Sequence, residues 1–312
     1  MLNREEKQIA RAMFKPLIFQ SDAQAFEDLF VRIMQYHNPN FRPVKPQGRK
    51  GDGGNDGFDY TTGTYYQVYG PEDLHEVKKN AIEKLQTNFQ RLYQEWQEST
   101  PIQHYYFVVN DKYKGTYPEI AKAIAELRKQ YSNITFDIML AKGVEDIFMG
   151  LREDGIIDII GNIPDPMRIG SIDYFVMNEV ISHIMNYDSA RVQENYSYEP
   201  DFDKKIKFNA LSRSTTSILE AGIRSSHILD EYFKRNSEYT RNEIRNRFKT
   251  LYEQAKAEIQ DSLIANTYNP DSIFFYIVGK ASPKRNFLNE NAVYVLMAYY
   301  FAACDIYEEP TN

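Results

Sequence analysis

Two polar residues, Asp56 and Gln67, have side chains whose types and spacing could do chemistry in this sequence. Asp56 ends a glycine-rich stretch, and Gln67 lies in a run of β-branched and aromatic residues. If segments 57–60 and 64–69 pair as a hairpin, the alternation of side chains along a strand lets Gln67 lie near Asp56. A carboxylate oxygen and an amide oxygen are hard ligands that suit Mg²⁺ (or Mn²⁺), with water completing the coordination shell.

A cation bound at this position would lower the pKa of a coordinated water and neutralise charge that develops on a phosphate, as in metal-dependent cleavage of phosphodiesters. Glu27, at the edge of the apolar stripe of a predicted helix, is a candidate third side-chain ligand. The glycines around Asp56 leave space for a sugar-phosphate backbone to approach: Gly51, Gly53, Gly54 and Gly57. The pattern therefore predicts a metal-dependent phosphodiesterase site.

Two other glycine motifs fail on spacing. A dinucleotide-binding fingerprint that starts at Gly51 would need glycine where Asp56 stands. A calcium-binding loop that starts at Asp52 would need an acid or amide at position 54 and glutamate at position 63, and both are glycine. The remaining alternative is a glycine-rich hairpin whose polar side chains only cap turns.

The charge of the chain restricts where nucleic acid could bind. The net charge is −7, which gives no global attraction for phosphates, so any contact must come from a local patch. Residues 38–50 contain no acid and carry four basic residues that we take as candidate DNA contacts: Arg42, Lys45, Arg49 and Lys50. A basic loop is also commonly a solvated surface.

Hydrophobic periodicity predicts the elements that position these residues. A helix is predicted over 22–37, beginning with a capping box of Ser21 and Gln24. The following elements are predicted as antiparallel strands over 41–44, 57–60 and 64–69, a helix over 72–96, a strand over 105–109, a helix over 117–130, a strand over 134–140 and a short helix over 144–151. Strands that alternate with helices indicate an α/β fold with a mixed sheet flanked by helices.

A proline-containing segment at 162–169 predicts a boundary between a domain of residues 1–162 and a domain of residues 170–312. The second domain is predicted to be mainly α-helical, with helices near 173–186, 204–235, 240–265 and 290–306. The longest apolar run, 292–304, is 13 residues, shorter than a membrane span requires, so we expect no membrane contact and a cytoplasmic location. Cys304 within that run is expected to be a buried structural thiol.

These residues resemble a known family. Gly51-Asp52-Gly53-Gly54-Asn55-Asp56 with Gln67 is similar to the D-G-G-x-D and Q-x-K pattern of Mrr-like restriction endonucleases in the PD-(D/E)xK superfamily. The resemblance covers about residues 22–151. It implies a restriction-endonuclease-like sheet, Asp56 and Gln67 as catalytic metal ligands, Glu27 as an accessory ligand, and cleavage of double-stranded DNA.

The sequence departs from that pattern at Tyr69, where the family has its catalytic lysine. Tyrosine is neutral at pH 7 and cannot offer an ammonium to a phosphate. Lys50 is our first candidate for a substitute, followed by Lys45 and by Lys78 and Lys79 on the next predicted helix. Without a substitute, the domain would be a catalytically degenerate module that binds DNA or partner proteins.

The layout of the chain resembles a second group. A nuclease-like domain followed by a helical domain, with the stretch Gln67-Val68-Tyr69-Gly70-Pro71, is similar to effector subunits of three-component anti-phage systems of the Lamassu type. This resemblance implies protein partners, an SMC-like ATPase and a small third subunit, that bind the helical domain and control the nuclease.

Overall fold

The computed structural model describes residues 2–44, 53–71, 77–170, 172–187, 202–236, 239–260, 270–303 and 306–310, with backbone alone for 77–80 and 260. Contacts within the chain define two compact units. The first contains Leu17–Ile159, and the second contains Leu2–Pro16, Ile160–Asp261 and Thr267–Asn312. The division after Ile159 precedes the proline-containing segment at 162–169.

Two helices open the chain. Helix α1 spans Arg4–Gln20, contains Pro16, and was not predicted. Helix α2 spans Ala23–His37 and buries the apolar stripe that the periodicity predicts, including Phe30 and Ile33. The predicted capping box was wrong: Asp22 is the N-cap without a side-chain cap bond. Gln24 instead donates to Asp28 one turn further along the helix, at 2.9 Å.

The first unit contains the mixed sheet that the sequence predicts. Its strands are β1 (Arg42–Pro43), β2 (Gly57–Asp59), β3 (Thr64–Tyr69), β4 (His104–Val109) and β5 (Thr135–Leu140), in that spatial order. The first three strands pair antiparallel, and β3, β4 and β5 pair parallel. The helices that follow the strands are α3 (Val77–Trp96), α4 (Pro118–Gln130), α5 (Ala141–Met149) and α6 (Glu153–Ile160), of which α6 was not predicted.

Strand β3 separates two packed layers, because successive side chains point to opposite faces of the sheet. Tyr65 lies in the cluster formed with α3 and α4, in which Phe89 packs its ring against those of Tyr105 and Phe136. Tyr66 lies on the other face, where its ring is 5.6 Å from that of Phe30 on α2. The face of Tyr65 is therefore the face on which Gln67 meets α3.

The second unit is helical. Its helices are α7 (Tyr174–Met185), α8 (Phe202–Phe208), α9 (Arg213–Arg224), α10 (His227–Arg235), α11 (Arg241–Gln260), α12 (Pro270–Ala281) and α13 (Phe287–Ala302). The single helix predicted over 204–235 is three helices. Ala210, which follows α8, has a φ of 51°, a backbone conformation that a right-handed helix does not contain. Ser212 then caps α9, because its side chain accepts a hydrogen bond from the Thr215 amide.

Helix α12 was missed because its residues are buried almost all round, which leaves no periodic stripe to detect. Helix α11 buries one stripe, as its periodicity predicts, including Ile244, Phe248 and Leu251. Cys304 lies outside the described residues. None of the described helices is both long enough and apolar enough to cross a membrane.

Candidate active site

The site forms where β3 extends beyond its antiparallel neighbour. Strand β2 pairs with β3 only as far as Tyr66, so beyond it the backbone amides of β3 that point to the β2 side need other partners. The amide of Val68 donates to Asp56 Oδ2 at 2.6 Å. Gln67 Nε2 donates to the same oxygen at 2.5 Å. The structure therefore brings Asp56 and Gln67 together, as their spacing predicts.

This pair is withdrawn from bulk solvent. Asp56 is 4% exposed and Gln67 is fully buried. Asp59, at the other end of β2, has a structural role: it accepts from the Asn38 side chain at 2.8 Å and from the Thr61 amide at 2.8 Å. Burial opposes ionisation of Asp59, yet the hydrogen bonds from Thr61 and Asn38 prevail and lower its pKa below the usual value.

Helix α3 supplies two polar side chains that the sequence analysis did not select. Asn88 Nδ2 donates to Gln67 Oε1 at 2.8 Å, and Lys84 Nζ donates to the carbonyl oxygen of Val68 at 3.2 Å. Lys84 and Asn88 are four residues apart, so they share one face of the helix. The signal for them was the polar pair at this spacing beside the buried Leu85 and Phe89.

Two glycines hold the Asp56 loop close to α3. A Cβ atom added to Gly54 would lie 2.2 Å from the backbone oxygen of Asn88, and Gly54 has a φ of +86°. A Cβ atom added to Gly57 would lie 2.3 Å from the Phe41 ring. The space beside these two glycines is thus filled by protein, which corrects the expectation that they admit a sugar-phosphate backbone. Gly51 lies outside the described residues.

Asn55 is the neighbour of Asp56 and is unusual in its surroundings. It is fully buried, and neither Oδ1 nor Nδ2 has a hydrogen-bond partner in the described part of the chain. Buried amides normally satisfy both atoms with protein groups, water or a ligand. Two orphaned polar atoms beside a buried carboxylate are compatible with a hydrated cation at Asp56.

The described residues around Asp56 offer Mg²⁺ few protein ligands. Across the described ranges, no three His, Cys, Asp or Glu side chains converge as a metal-binding group. Magnesium commonly keeps several waters and takes one or two carboxylates from the protein, so the chemistry of Asp56 with amide oxygens and water is compatible with this ion. Gln67 turns its amide nitrogen towards Asp56 and its oxygen towards Asn88, so ligation by Gln67 requires its amide to rotate.

The other predicted residues lie as follows. Glu27 is half-buried on α2, next to Phe26, and the first turn of α2 meets the end of β3 where Ala23 N donates to Gly70 O at 2.6 Å. Arg42 is exposed on β1, and its guanidinium donates to the Pro39 and Phe41 carbonyls. Lys45, Arg49 and Lys50 lie outside the described residues. The side chains of Lys78 and Lys79 do too.

Replacing Asn88 with leucine should reveal how firmly α3 holds Gln67. The change removes the donor to the buried Gln67 Oε1, and a buried acceptor without a partner costs about 1–3 kcal/mol. We expect the free energy of unfolding in urea to fall by that amount. Gln90→Leu on the exposed side of α3 is the control, and equal stability of the two variants would contradict the assigned contact.

Comparison with known proteins gives one match, in the helical part of the chain. Residues 176–308 match the family model described as C-terminal domain 10 of the ABC-three component (ABC-3C) systems. No curated protein and no solved structure matches the chain. The match supports a C-terminal helical domain of the type used in these multi-component anti-phage systems, in which a chain works with protein partners.

Proposed function

With the helical region matched to a domain of a multi-component defence system, we propose that this protein is the metal-dependent DNA endonuclease of such a system. The observation that carries the proposal is the buried Asp56 carboxylate joined to Gln67 at the free end of β3. Partner subunits would bind the helical domain and license the nuclease. An SMC-like ATPase and a small third subunit are the partners that the resemblance to Lamassu-type systems implies.

The architecture around Asp56 supports hydrolysis of a phosphodiester. The Val68 amide and the Gln67 side chain, which Asn88 of α3 holds in turn, fix the Asp56 carboxylate in one orientation, so its charge is in place before a substrate binds. Mg²⁺, when bound, would supply an acidic water and neutralise phosphate charge. Asp56 would hold that cation, with the Asn55 and Gln67 amide oxygens as additional ligands. Glu27 remains a proposed accessory ligand, and Arg42, Lys45, Arg49 and Lys50 remain proposed DNA contacts.

A second candidate function is favoured by a different observation. Asp56 Oδ2 accepts hydrogen bonds from the Val68 backbone amide and from the Gln67 side chain, which is a structural role that needs no metal. In that case the first unit is a degenerate nuclease domain that binds DNA or partner proteins. The two candidates differ in one measurable property, metal-dependent cleavage.

The test compares the wild-type chain, assembled with its partner subunits, with Asp56→Asn. Supercoiled plasmid and linear duplex DNA are incubated with Mg²⁺, with Ca²⁺ or with EDTA, and products are resolved on gels. We expect cleavage that requires Mg²⁺ and falls at least tenfold in Asp56→Asn, because the variant lacks the ligand charge. Asp154→Asn, at an exposed position on α6, is the charge-matched control.

Two outcomes would contradict the nuclease proposal. One is cleavage by Asp56→Asn at the wild-type rate. The other is duplex binding by the wild-type assembly without any Mg²⁺-dependent cutting, which the degenerate module predicts. Circular dichroism spectra and melting curves of each variant establish that it is folded.

A further inference from the structure

Helix α3 places an ammonium group beside the position where the resemblance leads one to expect a lysine. Tyr69 occupies that position and stacks on Phe107 of the neighbouring strand, with ring centroids 6.0 Å apart. Lys84 Nζ lies 5.4 Å from the centroid of the Tyr69 ring. A positive charge thus lies at the end of β3 although it comes from a different element.

The same ammonium is tied to the Asp56 carboxylate through one residue. Val68 donates its amide to Asp56 Oδ2 at 2.6 Å and accepts at its carbonyl from Lys84 Nζ at 3.2 Å. Gln67 Nε2 contacts both Asp56 and Val68, since it lies 2.5 Å from Asp56 Oδ2 and 3.3 Å from the carbonyl oxygen of Val68. Lys84 is therefore within about two hydrogen-bond lengths of the Gln67 amide that contacts Asp56.

The charge of Lys84 is not neutralised by a neighbouring acid in the part of the chain that the structure describes. Other lysines are paired: Lys112 with Asp22 at 2.8 Å, and Lys284 with Glu179 at 2.8 Å. The hydrogen bond to a neutral carbonyl leaves two further N–H donors on the Lys84 ammonium. Arg91, further along α3, is paired with Glu95 at 3.3 Å.

We propose that Lys84 is the catalytic cation of this site, and that it donates to a non-bridging oxygen of the scissile phosphate. This inference rests on the proposed nuclease function. It assigns to Lys84 the positive charge that Tyr69 cannot supply. In the hydrolysis, the water oxygen bonds to phosphorus while one phosphorus–ester oxygen bond breaks. The proton lost by the water goes to solvent, and the leaving oxygen is protonated from solvent. The Lys84 ammonium takes no part in these proton transfers and offsets the charge that develops on phosphorus-bound oxygen.

The test uses Lys84→Met, which keeps the length of the side chain and removes its charge, and Lys84→Arg, which restores a charge. Lys122→Met on the exposed face of α4 controls for the loss of one positive charge. Single-turnover cleavage of duplex DNA by the partner-bound assembly is measured with Mg²⁺. We expect the rate constant to fall at least tenfold in Lys84→Met and to recover in part in Lys84→Arg. The dissociation constant for DNA in Ca²⁺ should change less than about threefold, because one phosphate contact contributes little to total affinity.

A second readout does not depend on cleavage. Lysine acylation mapped by mass spectrometry, with duplex DNA and Ca²⁺ present or absent, should show protection of Lys84 at least threefold greater than that of Lys122. Lys84→Met that cleaves at the wild-type rate would overturn the assignment of Lys84 and leave the nuclease proposal intact. Unprotected Lys84 in a DNA complex would do the same. A wild-type assembly as inactive as Asp56→Asn would overturn the nuclease proposal and this assignment with it.

Discussion

Replacing Gly54 with alanine should destabilise the first unit by about 4 kcal/mol, roughly a thousandfold in the unfolding equilibrium. The new Cβ atom would lie 2.2 Å from the Asn88 backbone oxygen and 3.0 Å from the Leu92 backbone nitrogen. Neither atom can move without shifting α3. The φ of +86° adds strain of about 1–2 kcal/mol, because a side chain disfavours that backbone region.

Gly115→Ala separates the clash from the strain. Gly115 also has a φ of +86°, and a Cβ atom added there meets nothing within 4 Å. We expect this control to lose only the strain energy of about 1–2 kcal/mol. Urea unfolding gives the two values, and hydrogen exchange of α3 peptides locates the effect. A loss in Gly54→Ala no larger than that in Gly115→Ala would show that the loop does not press against α3.

The second large effect concerns Glu290 in the second unit. Its side chain is 6% exposed on the first turn of α13, and burial raises its pKa from 4.5 to about 7 despite the nearby Arg285. Tyr294, one turn further on, is also buried, and its hydroxyl has no hydrogen-bond partner in the described part of the chain. The folded state therefore holds a proton on Glu290 that the unfolded chain releases at lower pH.

The sign of the pH dependence follows from that proton. Between pH 4.5 and about 7 the folded state binds more protons than the unfolded state, so stability falls as pH rises. The loss approaches about 3 kcal/mol above the folded pKa, because each tenfold change in the protonation equilibrium corresponds to about 1.4 kcal/mol. Glu290→Gln carries no such charge, so it should be more stable than wild type by about 2–3 kcal/mol near pH 8.

Below about pH 4 the stabilities of Glu290→Gln and wild type should converge, because the wild-type carboxyl is then neutral in both the folded and the unfolded states. Urea unfolding at several pH values measures the difference, and exchange of α13 amides assigns it to this helix. Glu220→Gln, at an exposed position on α9, should show no pH-dependent difference from wild type. A Glu290→Gln variant that is less stable than wild type near pH 8 would contradict this prediction. It would show that favourable interactions outweigh the cost of burying the ionised Glu290 carboxylate.

The central pair of the site could be predicted from the sequence because its geometry is local. A hairpin fixes which residues face one another, so the spacing of Asp56 and Gln67 sufficed to bring them together. The contacts from Lys84 and Asn88 could not be predicted in the same way. They depend on how a helix docks on the sheet, which the helix's own sequence does not specify.

Hydrophobic periodicity also could not predict where helical regions are interrupted. The region 204–235 has enough apolar residues for one helix, yet the chain turns at Ala210 and again after Arg224. The buried α12 shows the opposite case, since burial on all sides erases the stripe that identifies a helix. The mixed sheet and the helical second half could be predicted, because strands alternate with helices in the first part of the chain and helical periodicity dominates the second.

The Val68 peptide makes the site sensitive to the longitudinal position of α3. A displacement of the helix by one residue moves its side chains by about 1.5 Å, which is enough to break the hydrogen bonds from Lys84 and Asn88 together. Gly54 packs directly against the Asn88 backbone, and this close contact helps to hold α3 at its position beside the Asp56 loop. The hydrogen bonds around Asp56 therefore depend on the position of α3 along its own axis.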